Sequence, residues 1–333
     1  MALATAQALG SEYRVVIIAP YGPVHDEARR LGFETMVYRN PLQHLRAIRH
    51  FYARNTRVVS MNTGVVHSLA SAIWERVYWS KRANLQVVHG GTDERLSYGR
   101  KKILRYFGVK QVAVSNYVKS RLVANGCAAP SITVIENFLA PERMRPPHVR
   151  APFTAPGVRR VLIVSRLDRI KRIDLLMDAI DLDSSLREIE FRILGTGEEE
   201  QRLRQRADSG YRNIHFAGFS STATEEMASA DLFLHLCAEE PFGLAVLEAM
   251  AARLPVLVPD QGGAGSIVVA GLSGIHFRSN NARSLAEELL FFQTAGADEL
   301  NRLAQGAVAR LESHYSAECG ERHYRELIED CFV

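Results

Sequence analysis

The chain has 333 residues, 47% of them hydrophobic and 23% charged, with a formal net charge of +4. Those values exclude a disordered or collagen-like chain, and the length suits two domains better than one core. No apolar run approaches the roughly 18–20 residues of a membrane span. The opening residues lack the basic start and apolar core of a signal peptide. Four scattered cysteines, Cys127, Cys237, Cys319 and Cys331, show no CxxC spacing, so they read as reduced thiols of a cytoplasmic protein. The net charge hides an asymmetry. Residues 1–150 hold 22 Lys and Arg against 9 Asp and Glu, leaving 19 against 28 in the remainder. A basic first half predicts an anionic partner such as a phosphorylated acceptor, a membrane surface or nucleic acid.

In chain order, the first element is a helical pattern, "MALATAQAL". Apolar, β-branched runs follow: "RVVIIAP", "FETMVYR", "RVVSMN", "LQVVHGG", "QVAVS" and "ITVIENF". The stretch "APERMRPPHVRAPFTAPGVRR" is rich in Pro and Arg and reads as a linker. A second series comprises "RRVLIVSRL", "EFRILG", "NIHFAG", "DLFLHL", "PVLVPD" and "GIHF". Between the runs lie segments with helical apolar spacing, such as "PLQHLRAIRHFYARN" and "IDLLMDAIDL". Continuous apolar runs alternating with helices predict parallel strands covered on both faces. The expectation is an α/β chain of two doubly wound domains, 1–145 and 146–310, with a helical segment at 311–333 crossing back to the first. Ligand is expected at the carboxyl ends of the strands. A doubly wound domain usually begins with a strand, whereas this chain begins with a helix.

The stretch "EEPFGLAVLEAM" places Glu240 and Glu248 eight positions apart, across a strand-to-helix junction. Pro241 suits a first helical position, and a helix start there offers free N–H groups to an anion. Eight helical residues span about 12 Å. That is too far for two acids sharing one hydrolytic reaction, which need roughly 5–9.5 Å, and suits two grips on one elongated ligand. "SRLDRIKR" brings Arg166 and Lys171 to a strand end, beside Arg169 and Arg172, which read as solvated. Gly195 and Gly197 form a turn after "EFRIL", the position of a nucleotide-contacting loop or of close packing. "DLD", with Asp181 and Asp183, reads as a polar helix end and not as a metal motif.

The stretch "EEPFGLAVLEAMAARLPVLVPDQGG" resembles the donor-binding signature of retaining glycosyltransferases of family four, which have the GT-B fold of two Rossmann-like domains facing a cleft. The similarity extends to "VLIVSRLDRIKRIDLLMDAI", "FRILGTGEEEQRL" and "VAVSNYVKSRLVANG", and so covers nearly all of the chain. The resemblance implies that Glu240 contacts hydroxyls of the donor sugar and Glu248 holds the nucleotide ribose. It implies that backbone amides around Phe242, Gly243 and Leu244 meet the sugar or diphosphate. Arg166 and Lys171 would stabilise the departing diphosphate, and His89 would face the sugar, with Gly90 and Gly91 allowing close approach. Asn62 and Thr63 occupy another strand end, on the acceptor side. No cofactor or metal is expected, cations and helix dipoles serving instead.

The implied partners are a nucleotide-diphosphate sugar and an anionic, glycan or lipid-linked acceptor. Basic and aromatic stretches at Trp74–Arg82 and Tyr98–Lys110 add peripheral contact with the inner face of a membrane. Nucleic acid is not expected, because no binding motif accompanies the charge. Departures from the family are specific: the first strand and its glycine-rich loop are absent, Ser266 stands where Glu is usual, Arg253 replaces Gly, and "FLA" follows "VIEN" in place of Gly-Val-Asp. These leave a second reading, a non-catalytic glycosyltransferase-like subunit. A dinucleotide oxidoreductase is a third, weakened by the want of a complete GxGxxG.

Overall fold

The computed structural model describes residues 1–332 apart from Thr56, Trp79, Ser80, Lys81, Thr92 and Ser221, and apart from the side chain of Arg82. The portion Trp79–Lys81 of the first basic–aromatic stretch therefore lies outside the described residues. Twelve strands are found among those described, each overlapping one of the predicted apolar runs, with the strands Arg82–Val88 and Lys110–Ala113 starting ahead of theirs. They are β1 (Val16–Pro20), β2 (Glu34–Tyr38), β3 (Val58–Asn62), β4 (Arg82–Val88), β5 (Lys110–Ala113), β6 (Ile132–Val134), β7 (Arg160–Val164), β8 (Glu190–Leu194), β9 (Ile214–Gly218), β10 (Leu232–Leu234), β11 (Val256–Pro259) and β12 (Ile275–Phe277). All the strand pairings are parallel.

The chain forms two compact units, Met1–Asn137 with Ala317–Val333, and Phe138–Ser316. The division falls at Asn137/Phe138, ahead of the expected 145/146, for a packing reason. The Pro- and Arg-rich stretch is not a free linker, since Phe153 is buried in the core of the second unit. Arg150 stacks on the Phe153 ring at 3.1 Å from its centroid. It also pairs with Asp231 at 3.0 Å. Asp231, itself buried, accepts from the backbone N–H groups of Arg159 and Arg160. One carboxylate thus satisfies three donors where the stretch enters β7.

In the second unit the six strands run β12-β11-β10-β7-β8-β9. This is the doubly wound order 3-2-1-4-5-6, whose direction of winding reverses between β7 and β10. Ile163, Phe191, Leu234 and Leu257 fill the core and are at most 1% exposed. Each such side chain contributes about 1.5–3 kcal/mol on burial. The helix Leu244–Ala251 ends in a Schellman motif, with Leu254 N–H donating to Ala249 O and Arg253 N–H to Met250 O. Arg253 takes φ 62° there, so the replacement of Gly noted in the sequence falls on a left-handed position. Arg253→Gly is expected to stabilise the protein by about 1 kcal/mol, read as a higher urea midpoint at unchanged slope.

The first unit carries two sheets, β1-β2 and β3-β4-β5-β6. The opening helical pattern forms the helix Ala2–Leu9, which packs against the helix Ala317–Asp330. Tyr324 is buried there, and Arg325 pairs with Glu12 at 2.9 Å. In the basic–aromatic stretch at Tyr98–Lys110, Tyr98 and Leu104 are buried, whereas Ile103 and Tyr106 are exposed. Among the described residues no helix is long and apolar enough to cross a membrane.

Candidate functional site

The switch point of the second sheet gathers the expected donor-site side chains. Arg166 and Lys171 follow β7, and Glu240 follows β10, the two strands adjacent at the reversal. Lys171 Nζ donates to Glu240 Oε2 at 2.5 Å, with both side chains less than one-fifth exposed. Burial alone would raise the Glu240 carboxyl, but His235 where it is protonated, the charges of Lys171 and Arg166, and the Lys171 hydrogen bond hold it below its usual range. Arg166 is mostly exposed and is oriented by Asp168 at 2.8 Å. Arg172 pairs with Asp174 and Asn280, so it is a structural cation and not merely solvated.

Two neighbours of Glu240 were not singled out in the sequence. His235, in β10's continuation, is buried with Nε2 at 3.5 Å from Glu240 Oε2. Burial, reinforced by Lys171 and opposed by Glu240, lowers the imidazole to about 4. It is therefore neutral at neutral pH, and Lys171 is the cation that compensates Glu240 there. Cys237 is also buried, and burial with the Glu240 charge pushes its thiol up to about 11, against the opposing Lys171. His235, Cys237 and Glu240 have ligand atoms within 4.8 Å of one another. As a metal donor set they fit poorly: a thiol kept protonated is a weak ligand, and the Lys171 ammonium already neutralises the carboxylate. The signal for His235 was a lone imidazole in an otherwise apolar run, "DLFLHL".

The pH consequence has a definite sign. An unfolded imidazole titrates near 6.5, so between that value and about 4 the unfolded chain binds a proton that folded His235 refuses. The contribution is fully present above pH 6.5 and is lost as pH falls through about 4. Glu240, also lowered, acts in the same direction at still lower pH. His44 of the first unit is likewise held down to about 4 by burial and by His67. Denaturant midpoints taken from pH 7.5 to 5 are expected to fall, and His235→Gln to remove about 2 kcal/mol of that dependence.

The helix after Glu240 begins at Leu244, with Gly243 in a left-handed conformation before it (φ 107°). Pro241 therefore precedes the helix and does not occupy its first position, because the chain needs Glu240–Gly243 to turn over the glycines of "QGG". Gly263 N–H donates to Glu240 O at 2.7 Å. A Cβ on Gly263 would come within 2.3 Å of Pro241 O, so the contact is between bare backbones. Ser266, in place of the usual Glu, donates to Gly263 O and closes that turn. The Phe242 ring is buried against Tyr315, leaving only its backbone to meet a ligand. Glu248 Oε1 accepts from Arg143 Nη1 at 2.6 Å, an arginine supplied by the supposed linker.

Gly195 and Gly197 pack against the segment that carries Arg166. Gly195 has φ 137°, and its Cβ would lie 1.9 Å from Ser165 O. Leu167 N–H donates to Thr196 O, and Leu167 O accepts from Glu199 N–H. Close packing is thus their evident role, and it fixes the loop that presents the cations. Asp183 accepts from Ser185 N–H as a local cap, and Asp181 accepts from the Tyr211 hydroxyl. Neither reaches the switch point.

In the first unit His89 follows β4, half-buried, with burial lowering its pKa. It lines a cavity together with Thr63. Asn62 instead turns its amide to Ser60, Ser71 and Asn84, at 3.1–3.4 Å. Its side chain is committed to sheet–helix packing.

Comparison with known proteins bears on this arrangement. Residues 148–308 match the family model described as glycosyl transferases group 1. The protein WcaL of Escherichia coli strain K12, named for colanic acid biosynthesis and glycosyl transfer, is 27% identical over 233 residues, which cover 67% of this chain and 57% of WcaL. The chain thus spans little more than half the length of that relative. Among solved structures, a glycosyltransferase from Rickettsia africae matches with TM-score 0.79 and 18% identity, over 99% of this chain and 94% of the other. Anabaena Alr3699/HepE, solved in complex with UDP and glucose, matches with TM-score 0.76 and 16% identity, over 98% and 95%. The α/β fold is that of GT-B proteins, with two Rossmann-like units. Arg166, Lys171, Glu240 and Glu248 all lie inside residues 148–308, the segment that matches the glycosyl transferases group 1 model.

Proposed function

We propose that this protein transfers a sugar from a nucleotide-diphosphate sugar to a hydroxyl acceptor with retention of anomeric configuration. The observation that carries the proposal is the buried Lys171–Glu240 pair at the switch point of the 3-2-1-4-5-6 sheet. A cation there stabilises charge that develops on the diphosphate, more in the transition state than before it. Glu240, kept ionised, accepts hydrogen bonds from sugar hydroxyls. Glu248 takes the ribose, after exchanging its bond to Arg143 for the ligand's hydroxyls. Backbone N–H groups from Phe242 to Leu244 meet the sugar or diphosphate. The bond from the anomeric carbon to the diphosphate oxygen breaks as the acceptor oxygen bonds to the same face. The acceptor proton passes to the departing diphosphate, so the residues described need supply neither a metal nor a nucleophile.

HepE was solved with UDP and glucose, and WcaL is named for a polysaccharide. These favour a uridine donor and a glycan acceptor as first substrates to try. Nucleoside diphosphate release with each candidate pair, and the anomeric coupling of the product by NMR, test the reading. An inverted product, or turnover of NAD and not of nucleotide sugars, would sink it. The second reading, a nucleotide-binding subunit without turnover, is favoured by the divided sheet of the first unit. Tight donor binding with no release in the presence of any acceptor would select it.

His89 faces the donor sugar, and Thr63, along with the backbone at Asn62, is assigned to the acceptor side. The exposed Ile103 and Tyr106 beside Lys102 and Arg105 form a surface for a lipid-linked acceptor at a membrane. Ile103→Ser with Tyr106→Ser is expected to lower co-sedimentation with anionic phosphatidylserine vesicles at least threefold. Equal sedimentation of variant and parent removes this surface.

A further inference from the structure

The helix Val65–Val77 of the first unit begins with its backbone donors unspent. It follows β3 through Thr63 and Gly64, and Gly64 as N-cap has no side chain with which to cap it. The first intrahelical bond runs from Ser68 N–H to Gly64 O. The N–H groups of Val65, Val66 and His67 therefore have no acceptor among the described residues. Other helices of this unit close the same gap: Asn40 accepts from Gln43 N–H, and Ser115 from Val118 N–H. Val66 is 69% exposed, so the open start meets solvent. A helix of 13 residues brings its dipole to that end, and free N–H groups along its axis hold an oxyanion.

Two imidazoles stand at this helix start. The His67 ring lies back over the N-cap, with Nδ1 3.1 Å from where a Cβ on Gly64 would be. Its Nε2 is 3.1 Å from the hydroxyl of Tyr38, the last residue of β2. A hydroxyl that donates to Nε2 leaves the ring proton on Nδ1, as a donor beside the helix start. His44, from the helix Pro41–Arg54, packs its ring 4.5 Å from the ring centroids of both Tyr38 and His67. It is only 6% exposed, yet neither of its ring nitrogens has a hydrogen-bond partner among the described residues. Burial and His67 hold it neutral at neutral pH, so it too carries one ring N–H. A buried imidazole left unpaired is costly, and a ligand that accepts from it removes the cost.

We infer that the start of the helix Val65–Val77, with His44 and the Tyr38-oriented His67, is a binding site for a phosphate group. Backbone donors reach such a group along the helix axis and imidazole donors from the side. The tetrahedral oxygens of a phosphate meet both directions, whereas the two oxygens of a carboxylate lie in one plane. The anionic partner predicted by the basic first half thereby gains a place. Thr63 adjoins the helix start, so the phosphate group belongs to the acceptor; that assignment rests on the proposed transfer, and the binding itself does not.

The test titrates inorganic phosphate into the protein, with neither donor nor acceptor present, and follows backbone amide resonances. Those of Val65, Val66 and His67 are expected to shift saturably. Val65→Pro removes one donor at a position that suits proline, since Gly64 before it is extended (φ −107°, ψ 143°). It is expected to weaken binding about tenfold while melting as the parent does. His67→Phe is expected to weaken it likewise, and His67→Asn, which restores an N–H near Nδ1, to recover most of the affinity. No saturable shift, or equal affinity in Val65→Pro and parent, would overturn the inference. So would acetate binding as tightly as phosphate, which would assign the site to carboxylates. Displacement of phosphate by glucose 1-phosphate gives the group a soluble source, and displacement by phosphatidic acid vesicles alone gives it a lipid headgroup. Phosphate binding in a protein that transfers no sugar would leave the site standing and remove only its assignment to the acceptor.

Discussion

Lys171→Ala is expected to lower sugar transfer by a factor of about 100 or more and to destabilise the second unit by about 3 kcal/mol. The two losses have different causes, and a second substitution separates them. Glu240 lies beside Lys171 in a pocket that burial would make hostile to a carboxylate. Without the ammonium, the buried charge has no full cation at hydrogen-bond distance, because neighbouring His235 is neutral at neutral pH. Lys171→Ala with Glu240→Gln removes that charge. The double variant should regain stability to within about 1 kcal/mol of the parent, yet remain as inactive as the single one. Urea denaturation and nucleotide release measure the two quantities. Additive stability losses would show that the pair is not coupled, and undiminished turnover would remove Lys171 from the reaction.

Gly195→Ala is expected to cost about 3 kcal/mol or more, with much of the protein lost from the soluble fraction. Two penalties coincide at this position. Its φ of 137° is a conformation that side chains resist, and the new Cβ would sit 1.9 Å from the Ser165 carbonyl oxygen. Neither can relax cheaply, because Gly195 N–H also donates to Gly218 O and Ser165 N–H to Leu194 O. Gly210→Ala is the control: its Cβ would meet nothing within 4 Å, so its stability should change by no more than about 0.5 kcal/mol. Circular dichroism melts of both variants check the contrast. A Gly195→Ala protein as stable as the control would mean that the loop carrying Arg166 is free to move.

The strands were legible because parallel strands covered on both faces must be apolar throughout, and every predicted run overlaps one. The acids and cations of the second unit were legible as strand-end residues in one linear motif. What the sequence could not convey depends on long-range pairing. Arg143 reaches Glu248 across more than a hundred residues. Asp231 claims the Pro- and Arg-rich stretch for the second unit. His235 acquires its character only from complete burial beside Lys171 and Glu240. Local turn geometry was misjudged for a related reason. Pro241 has the right φ for a helix start, but the glycines of the "QGG" turn hold its backbone in a bend. The division of the first sheet was hidden as well, since the runs named the strands without saying which edges would meet.

The return of Ala317–Asp330 to the first unit bears on how the protein is made. The second unit is one uninterrupted stretch, Phe138–Ser316, and needs no residue from either flank to complete its core. The first unit does, because the helix that packs on Ala2–Leu9 is made only after the whole of the second unit. The half made first is therefore the half finished last, and it waits with an apolar face uncovered. A chain cut after Ser316 would keep every residue of the second unit while leaving that face of Ala2–Leu9 exposed.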